Sequence, residues 1–237
     1  MVEGPTLSSI LSRADLCRAV PENTKKLAEK VQPTENRLEL QGHNVFYREA
    51  KPPDNHYAKA TIVFLHGQSF SSTTWTENGL LSNMAAHGYH CIALDLPGSG
   101  RTVGPAIPAE EKPSFFLSFI YGLGLKQPMV VAASMSAQYI LPLLNRDIFA
   151  CVVGVALSNT QELVDVQRLR TPLLCVWGER DTSLGPSSAN NLKNLPNSRL
   201  QQIQAAGHAA HLGNPEQFQS VLANFLDLIR SYHAIPM

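Results

Sequence analysis

Short apolar runs alternate with segments of helical pattern along most of this chain, and this alternation is the feature that most limits its fold. The runs are continuously apolar, which indicates strands that are buried on both faces. Strands of this kind, separated by helices, are typical of a parallel sheet covered by helices on both sides. We therefore expect an α/β fold with a mostly parallel central sheet. The predicted strands are 60–65, 90–94, 128–133, 150–157, 172–177 and 199–204, and the predicted helices are 77–87, 114–123, 136–144, 188–194 and 215–231.

The first part of the chain differs from the rest. Residues 1–36 are polar and of mixed charge, and they predict an N-terminal appendage with short helices around 7–17 and 23–31. From Arg37 onward, two short runs of alternating polarity flank a turn at 42–44, which is the pattern of a hairpin. A chain of 237 residues is long enough for one well-buried core. We therefore predict an appendage over 1–36 and one domain over 37–237.

Composition excludes several functional classes. The formal net charge is zero, so no basic field is available to attract nucleic acid. No stretch approaches the roughly 20 apolar residues of a membrane span, and the first residues lack the apolar core of a signal peptide. The four cysteines have no metal-site spacing, and we expect neither a metal nor a bound cofactor. Cys91, Cys151 and Cys175 lie in apolar runs, which predicts buried thiols and a reducing compartment. The expected location is the cytoplasm, with the nucleus as a further one.

Ser134 is the candidate nucleophile. It stands where the apolar run 129–133 meets the predicted helix, between the small residues Ala132 and Ser136. A strand–serine–helix turn of this kind holds the nucleophile in a strained backbone conformation and exposes its hydroxyl above the sheet. Both glycines of the usual Gly-x-Ser-x-Gly pattern are replaced, so this segment alone also fits the small-residue end of a buried strand.

The end of another predicted strand supplies a candidate oxyanion hole. The sequence Leu65-His66-Gly67-Gln68 places a glycine where a sharp turn would direct the N–H of Gln68 toward the site. Together with the N–H of Met135, which follows the nucleophile, it would stabilise an oxyanion. His66 is interpreted as a brace for this loop rather than as a base.

Two acidic residues compete for the role of the triad carboxylate, and a third is set aside. Asp181 follows the strand end at Gly178 by three positions, where it could accept a hydrogen bond from a histidine and stabilise its cation. Glu179 lies nearer the strand and is interpreted as a turn residue. Asp95 precedes a Pro-Gly turn, which favours a structural role in its loop.

A histidine follows the last predicted strand. His208 lies in a loop of small residues directly after Gly207, and it completes the chain order Ser, Asp, His that this architecture uses. His211 is the alternative base. His208 is favoured because Gly207 would provide a tight turn next to it.

These motifs resemble the alpha/beta hydrolase superfamily over about residues 38–232. The segments 42–49, 70–75, 95–98, 134–136 and 195–197 are similar to the alpha/beta hydrolase domain-containing group fourteen, whose B form is also called cell-cycle-gene-one-interacting factor B. That group has Ser-x-Ser at its elbow, which would account for Ser136. The resemblance implies a Ser–Asp–His triad carried by Ser134, Asp181 and His208. It also implies esterase activity on small activated esters and, for the B form, protein-lysine deacetylation with acetyl transfer to coenzyme A.

The chain also departs from that group. Ala132-Ala133 stands where the group has Ser-Pro, Ala137 where it has Gly, and Ala210-His211 where it has a Cys-Tyr pair. The substituted residues are expected to line the pocket. The resemblance therefore implies the triad more directly than it implies the substrate. The A form of the group has an N-terminal membrane anchor, which the polar N-terminus of this chain does not match.

The expected function is acyl transfer through a covalent acyl-enzyme on Ser134, with small esters or acyl-lysine as substrates and water or coenzyme A as acceptor. The connection 158–171 is too short for a helical lid domain, so an open site is expected. The alternative function, motivated by the altered elbow, is a catalytically weak scaffold that binds a protein partner. A cofactor-free haloperoxidase or perhydrolase that uses the same triad is a third interpretation.

Overall fold

The computed structural model describes residues 5–53 and 57–233. Within them, one eight-stranded sheet has the order β1-β2-β4-β3-β5-β6-β7-β8. Strands β3 to β8 are parallel, while β1 and β2 form an antiparallel hairpin at one edge. The predicted α/β hydrolase architecture is confirmed. The strands are β1 Thr34–Leu40, β2 His43–Ala50, β3 Thr61–Leu65, β4 His90–Leu94, β5 Met129–Ala133, β6 Cys151–Val155, β7 Leu173–Gly178 and β8 Ser198–Ile203.

Helices cover both faces of the sheet and form two apolar cores. One core joins the sheet to α1, α4 and α9, and the other joins it to α5, α6 and α7. Strands β3 to β7 are almost entirely buried, which is why their sequences are continuously apolar. The helices are α1 Leu7–Arg13, α2 Glu22–Ala28, α3 Thr73–Thr76, α4 Leu80–Ala86, α5 Lys112–Gly122, α6 Ala137–Ile140, α7 Leu184–Leu192, α8 Ala210–Gly213 and α9 Pro215–His233.

The hairpin turn lies earlier than the sequence pattern indicates. Leu40 pairs with His43, so the loop consists of Gln41 and Gly42 alone. Both residues have positive φ, 50° and 80°. Turns of this kind match the twist of antiparallel strands, which allows pairing to continue directly into His43. The predicted turn at 42–44 is wrong by one to two residues for this reason.

Two helices on the α5–α7 face differ from their predicted bounds. The predicted helix 136–144 stops after Ile140 and continues only as a 3₁₀ turn, Leu141–Leu143. Pro142 explains the break, since proline lacks the N–H that an α-helix needs in its interior. Helix α7 begins at Leu184 rather than at 188, because Pro186 occupies its first turn, where an N–H has no intrahelical partner.

The N-terminal segment packs against the rest of the molecule. The side chain of Leu11 is 1% exposed and belongs to the same core as α9. The Arg199 guanidinium donates to the carbonyl of Leu11, and the Asn224 amide donates to the carbonyl of Leu16. The division between 1–36 and 37–237 stays a prediction.

No lid domain lies over the carboxyl ends of the strands in the described part of the chain. The connection from β6 to β7 contains only two 3₁₀ turns, Thr160–Glu162 and Val166–Arg168. Among the described residues, no helix has the length and apolar character that crossing a membrane requires. Cys91, Cys151 and Cys175 are buried thiols, as predicted, and burial raises the pKa of each.

Candidate active site

Ser134 lies directly after β5, at the carboxyl edge of the sheet, with φ = 50°. A positive φ is costly for a residue with a side chain, so the surrounding structure must enforce it. The Ser136 side chain contributes to that enforcement. Its buried hydroxyl accepts from the Ala133 N–H at 2.9 Å and lies 2.7 Å from the Ala133 carbonyl and 3.2 Å from the Leu65 carbonyl. Ser136 thus ties the turn to the end of β3, a link that a glycine could not form.

Two hydrogen bonds connect the side chains of Ser134, His208 and Asp181. His208 Nε2 is 3.1 Å from Ser134 Oγ, and His208 Nδ1 is 2.8 Å from Asp181 Oδ2. A carboxylate can only accept, so Nδ1 carries the proton and the Nε2 lone pair faces the serine hydroxyl. The Asp181 side chain is 1% exposed, whereas that of His208 is 44% exposed, so the site is open on the histidine side.

Asp181 is held by its own loop. Oδ1 accepts from the N–H and hydroxyl of Ser183, and Oδ2 accepts from the N–H of Gly185. Burial alone would raise the pKa of Asp181, but hydrogen bonds from His208 and Ser183 outweigh it and lower that pKa below its ordinary value. The carboxylate is therefore ionised at neutral pH. The competing Glu179 lies away from the histidine and accepts from the N–H of Ala205.

A close approach of two loops brings the carboxylate and the histidine together. Gly178 ends β7 and lies against the loop that precedes His208. A Cβ on Gly178 would be 2.1 Å from the Gly207 carbonyl oxygen. The Arg180 N–H also donates to the Ala206 carbonyl. Gly207 itself has no positive φ, and a Cβ there would meet nothing within 4 Å. The left-handed residue is Ala205, at φ = 56°, so the prediction of a turn caused by Gly207 is wrong in its detail.

The two predicted oxyanion donors are both neighbours of Ser134: Met135 follows it in the chain, and Gln68 lies in a loop packed beside it. A Cβ built on Gly67 would be 3.5 Å from the Ser134 Cβ. Within the described residues, the N–H groups of Gln68 and Met135 donate to no protein acceptor. The left-handed residue of this loop is Ser69, at φ = 66°, not Gly67.

The loops around the site are fixed by buried polar groups. His66 Nε2 accepts from the Leu96 N–H at 3.0 Å, so Nδ1 carries the proton and donates to the Gly67 carbonyl at 2.8 Å. Burial lowers the pKa of His66, which keeps it neutral. Asp95 accepts from the N–H groups of Ser72 and Arg101. Both residues brace loops, as their sequence context indicates.

His211, the alternative base, is buried in the wall of the cavity that Ser134 also lines. Its ring lies on Trp75 with centroids 4.4 Å apart, and its Nε2 is 3.1 Å from Thr74 Oγ1. Its Nε2 is thus engaged by Thr74, whereas among the described residues its buried Nδ1 has no hydrogen-bond partner. Burial, together with the nearby His208, lowers the pKa of His211 to about 4. Sequence reasoning named this residue but could not detect its burial.

A cavity of about 290 Å³ surrounds the Ser134 hydroxyl. The lining residues combine the Ser134 and His208 side chains with apolar ones and include Gln68, Phe70, Ser134, Leu184, His208 and His211. Within residues 5–53 and 57–233, no group of three or more His, Cys, Asp and Glu residues is arranged to hold a metal ion. The site thus brings a serine hydroxyl, an imidazole and a buried carboxylate into hydrogen-bond contact beside a small cavity.

This fold is that of the alpha/beta hydrolases, and comparison with known proteins agrees. Residues 62–159 match the model of the alpha/beta hydrolase family. The chain belongs to that family. Among solved structures, it superimposes on a CIB-like hydrolase of Thermoplasma acidophilum with a TM-score of 0.70 and 25% identity, covering 85% of this chain and 99% of the other.

Within the family, the chain is similar to the ABHD14 proteins. It is 36% identical to ABHD14B of Rattus norvegicus, which is named as a provisional protein-lysine deacylase, over 83% of this chain and 97% of the relative. It is also 36% identical to ABHD14A of Danio rerio, over 77% of this chain and 71% of the relative. The resemblance inferred from the sequence motifs is confirmed.

Proposed function

We propose that this protein is a serine hydrolase that acts on small acyl esters or on acyl-lysine through an acyl-enzyme on Ser134. The observation that carries the proposal is the pair of hydrogen bonds that connects Ser134 Oγ to His208 and His208 to Asp181. Ser134 also has the positive φ, 50°, that is typical of a nucleophile at a strand–helix turn. The similarity to ABHD14B, named for protein-lysine deacylation, supports acyl-lysine as the substrate class.

The first half of the reaction forms the acyl-enzyme. His208 Nε2 takes the proton of Ser134 Oγ as that oxygen attacks the substrate carbonyl carbon. Asp181 stabilises the resulting imidazolium, and the N–H groups of Gln68 and Met135 stabilise the oxyanion. His208 then gives its proton to the leaving amine or alcohol as the bond between the carbonyl carbon and the leaving atom breaks.

The second half releases the acyl group. Water enters through the open side next to His208, loses a proton to Nε2 and attacks the acyl-serine carbonyl carbon. The ester bond to Ser134 Oγ breaks, and the serine recovers a proton from His208. The thiol of coenzyme A would take the place of water in an acyl transfer, and this acceptor rests on the resemblance to the ABHD14 group. Neither half requires a bound cofactor. We place the activity in the cytoplasm or nucleus, which cell fractionation would test.

Labelling with a fluorophosphonate probe tests the mechanism. Native protein should be labelled, and Ser134→Ala should not. Incubation with p-nitrophenyl acetate should add one acetyl group to the Ser134 peptide of the native protein, as read by mass spectrometry. Ser158→Ala is the matched control, because it removes a nearby hydroxyl that bonds only to the Ser134 carbonyl.

Equal labelling of native protein and Ser134→Ala would contradict the proposal. Absence of labelling and of ester turnover in a folded native protein would instead favour the scaffold that binds a protein partner.

A further inference from the structure

The cavity of about 290 Å³ beside Ser134 has no Asp, Glu, Lys or Arg in its lining within the described part of the chain. Its apolar lining comes from Phe70, Ala133, Val155, Leu184 and Ala209. Ala133 and Val155 are buried in the sheet, and Leu184 is half-buried at the start of α7. The wall therefore offers mainly apolar surface to a group attached to Ser134.

The ionised groups next to this cavity do not favour an anion. No Lys or Arg stands within three positions in sequence of a lining residue. Asp181 stands three positions before Leu184, and its carboxylate is 2.8 Å from His208 Nδ1. The exposed Glu179 and Arg180 precede it with opposite charges, and neither lines the cavity. An anion would thus meet no lining cation except a protonated His208, which Asp181 already pairs.

His211 adds no positive charge to the wall. Its Nε2 is 3.1 Å from Thr74 Oγ1, and its Nδ1 is buried. Burial, together with the nearby His208, lowers the pKa of His211 to about 4, so the ring is neutral at neutral pH. This side of the cavity is therefore uncharged as well.

Phe70 brings an apolar side chain close to the serine. A Cβ on Gly67 would be 3.7 Å from Phe70 Cδ2 and 3.5 Å from Ser134 Cβ, so both side chains pack against the same glycine. Phe70 is 38% exposed, and its ring meets that of His211 edge-on with centroids 6.3 Å apart. A group bonded to Ser134 Oγ is therefore within reach of the Phe70 ring.

We propose that this cavity accepts uncharged acyl groups and excludes those that end in a carboxylate, such as succinyl, and that Phe70 contributes to this preference. The inference rests on the proposed function. In the acyl-enzyme, the acyl carbon is bonded to Ser134 Oγ, so the acyl group lies against the cavity wall. A carboxylate there would lose water to Phe70 and Leu184 without gaining a partner, and Asp181 would repel it.

Turnover of acyl-lysine peptides of one sequence tests the preference. One peptide carries succinyl-lysine, and the other carries 4-methylpentanoyl-lysine, in which methyl groups replace the carboxylate oxygens. We expect kcat/KM of native protein, read by mass spectrometry, to be at least about 100-fold higher for the neutral peptide, because an unpaired carboxylate is costly to desolvate. A succinamoyl-lysine peptide, in which an amide replaces the carboxylate, should lie between them.

Substitution of Phe70 tests its part in the preference. Phe70→Arg places a cation within reach of the acyl group and should raise the succinyl-to-4-methylpentanoyl ratio by about tenfold or more, since a guanidinium pairs with a carboxylate. Phe70→Leu keeps an apolar side chain and should retain the native ratio. Tyr121→Arg adds the same charge at a 67% exposed position on α5, outside the cavity lining, and should leave the ratio unchanged.

Equal turnover of the succinyl and 4-methylpentanoyl peptides by native protein would overturn the inference. Equal rates for the succinyl and succinamoyl peptides would show that polarity, not charge, is excluded, and would overturn it too. A native ratio in Phe70→Arg, folded by circular dichroism, would refute the role of Phe70. If that variant does not fold, Ser69→Arg, at an exposed lining position, makes the same test of an added cation.

Failure of the proposed function would give a different result. If no peptide is turned over but the fluorophosphonate probe still labels Ser134, benzyl 4-methylpentanoate and monobenzyl succinate provide the same comparison between esters. Absence of both labelling and ester turnover in folded native protein would refute the proposed function, and the inference with it.

Discussion

At the residue scale, the proposed mechanism depends on where each proton is held. It requires an ionised Asp181 that accepts from His208 Nδ1, because only then does Nε2 present a lone pair to Ser134. Glu179 shares the same loop but contacts the backbone of a different turn. The two acidic residues, two positions apart, therefore provide a matched pair for testing.

Asp181→Asn should reduce kcat for p-nitrophenyl acetate by about 10³- to 10⁴-fold, because an amide can donate to Nδ1 and stabilise the wrong tautomer. Glu179→Gln should retain native activity, as measured in the same steady-state assay. Similar losses in the two variants would contradict the assigned carboxylate.

A second prediction at this scale concerns His211. Its pKa is about 4 in the folded protein, below the ordinary value of 6.5 from which it is lowered, so the unfolded chain binds more protons than the native one between these values. The contribution to stability is fully present above pH 6.5 and is lost as the pH falls toward 4. Over that window, the free energy of unfolding should fall by about 1.4 kcal/mol per pH unit from this group.

His211→Phe should flatten this dependence, because phenylalanine suits the aromatic surroundings of Trp75 and Phe218 and does not titrate. Urea unfolding of both proteins at several pH values would measure the two slopes. Parallel curves between pH 6.5 and 4.5 would show that His211 does not titrate as described.

At the scale of elements, the turn at Ser134 is joined to its neighbours by the Ser136 side chain rather than by the close packing of a glycine. The Ser136 hydroxyl links β5 to the end of β3, where the Gln68 loop begins. The chain thus keeps the elbow geometry without the usual glycine. The close approach at Gly178 likewise joins the loop that carries Asp181 to the loop that carries His208.

Ser136→Ala should lower the free energy of unfolding by about 1–3 kcal/mol, because it leaves the buried Ala133 N–H without an acceptor. Urea denaturation would measure this loss. The control is Ser231→Ala at the exposed end of α9, which should change stability by less than about 0.5 kcal/mol. Ser136→Gly should be no more stable than Ser136→Ala, and recovery of native stability in either variant would refute the proposed link.

At the scale of the whole molecule, the N-terminal helices share a core with α4 and α9. We propose that residues 5–33 unfold together with the hydrolase domain rather than as a separate appendage. Leu11→Ala should then lower the free energy of unfolding by about 2–5 kcal/mol in one transition, as for a core leucine.

Circular dichroism and tryptophan fluorescence would follow the unfolding of Leu11→Ala by urea. Trp75 and Trp177 lie outside the N-terminal segment, so coincident transitions would show cooperative unfolding. The exposed Val164→Ala is the control and should have little effect. If tryptophan fluorescence of Leu11→Ala changed at the same urea concentration as in the native protein, the appendage would fold on its own.

The sequence by itself was sufficient to predict the parallel α/β order and the residues Ser134, Asp181 and His208 as candidates, because strand burial and strand-end chemistry are local patterns. The details that failed were also local in appearance: the hairpin turn, the start of α7, and the tight turn assigned to Gly207. A turn does begin at Gly67, with the Phe70 N–H donating to the Gly67 carbonyl, but the positive φ values of the two loops fall on Ser69 and Ala205.

Only the tertiary structure decided which small residues the packing requires and why His211 is neutral. Gly178 is required by a carbonyl from another loop, Ser136 bonds to a strand about seventy positions earlier, and His211 is neutral because Trp75 and Thr74 enclose it. Burial and close approach depend on residues far apart in sequence, so no local pattern contains them.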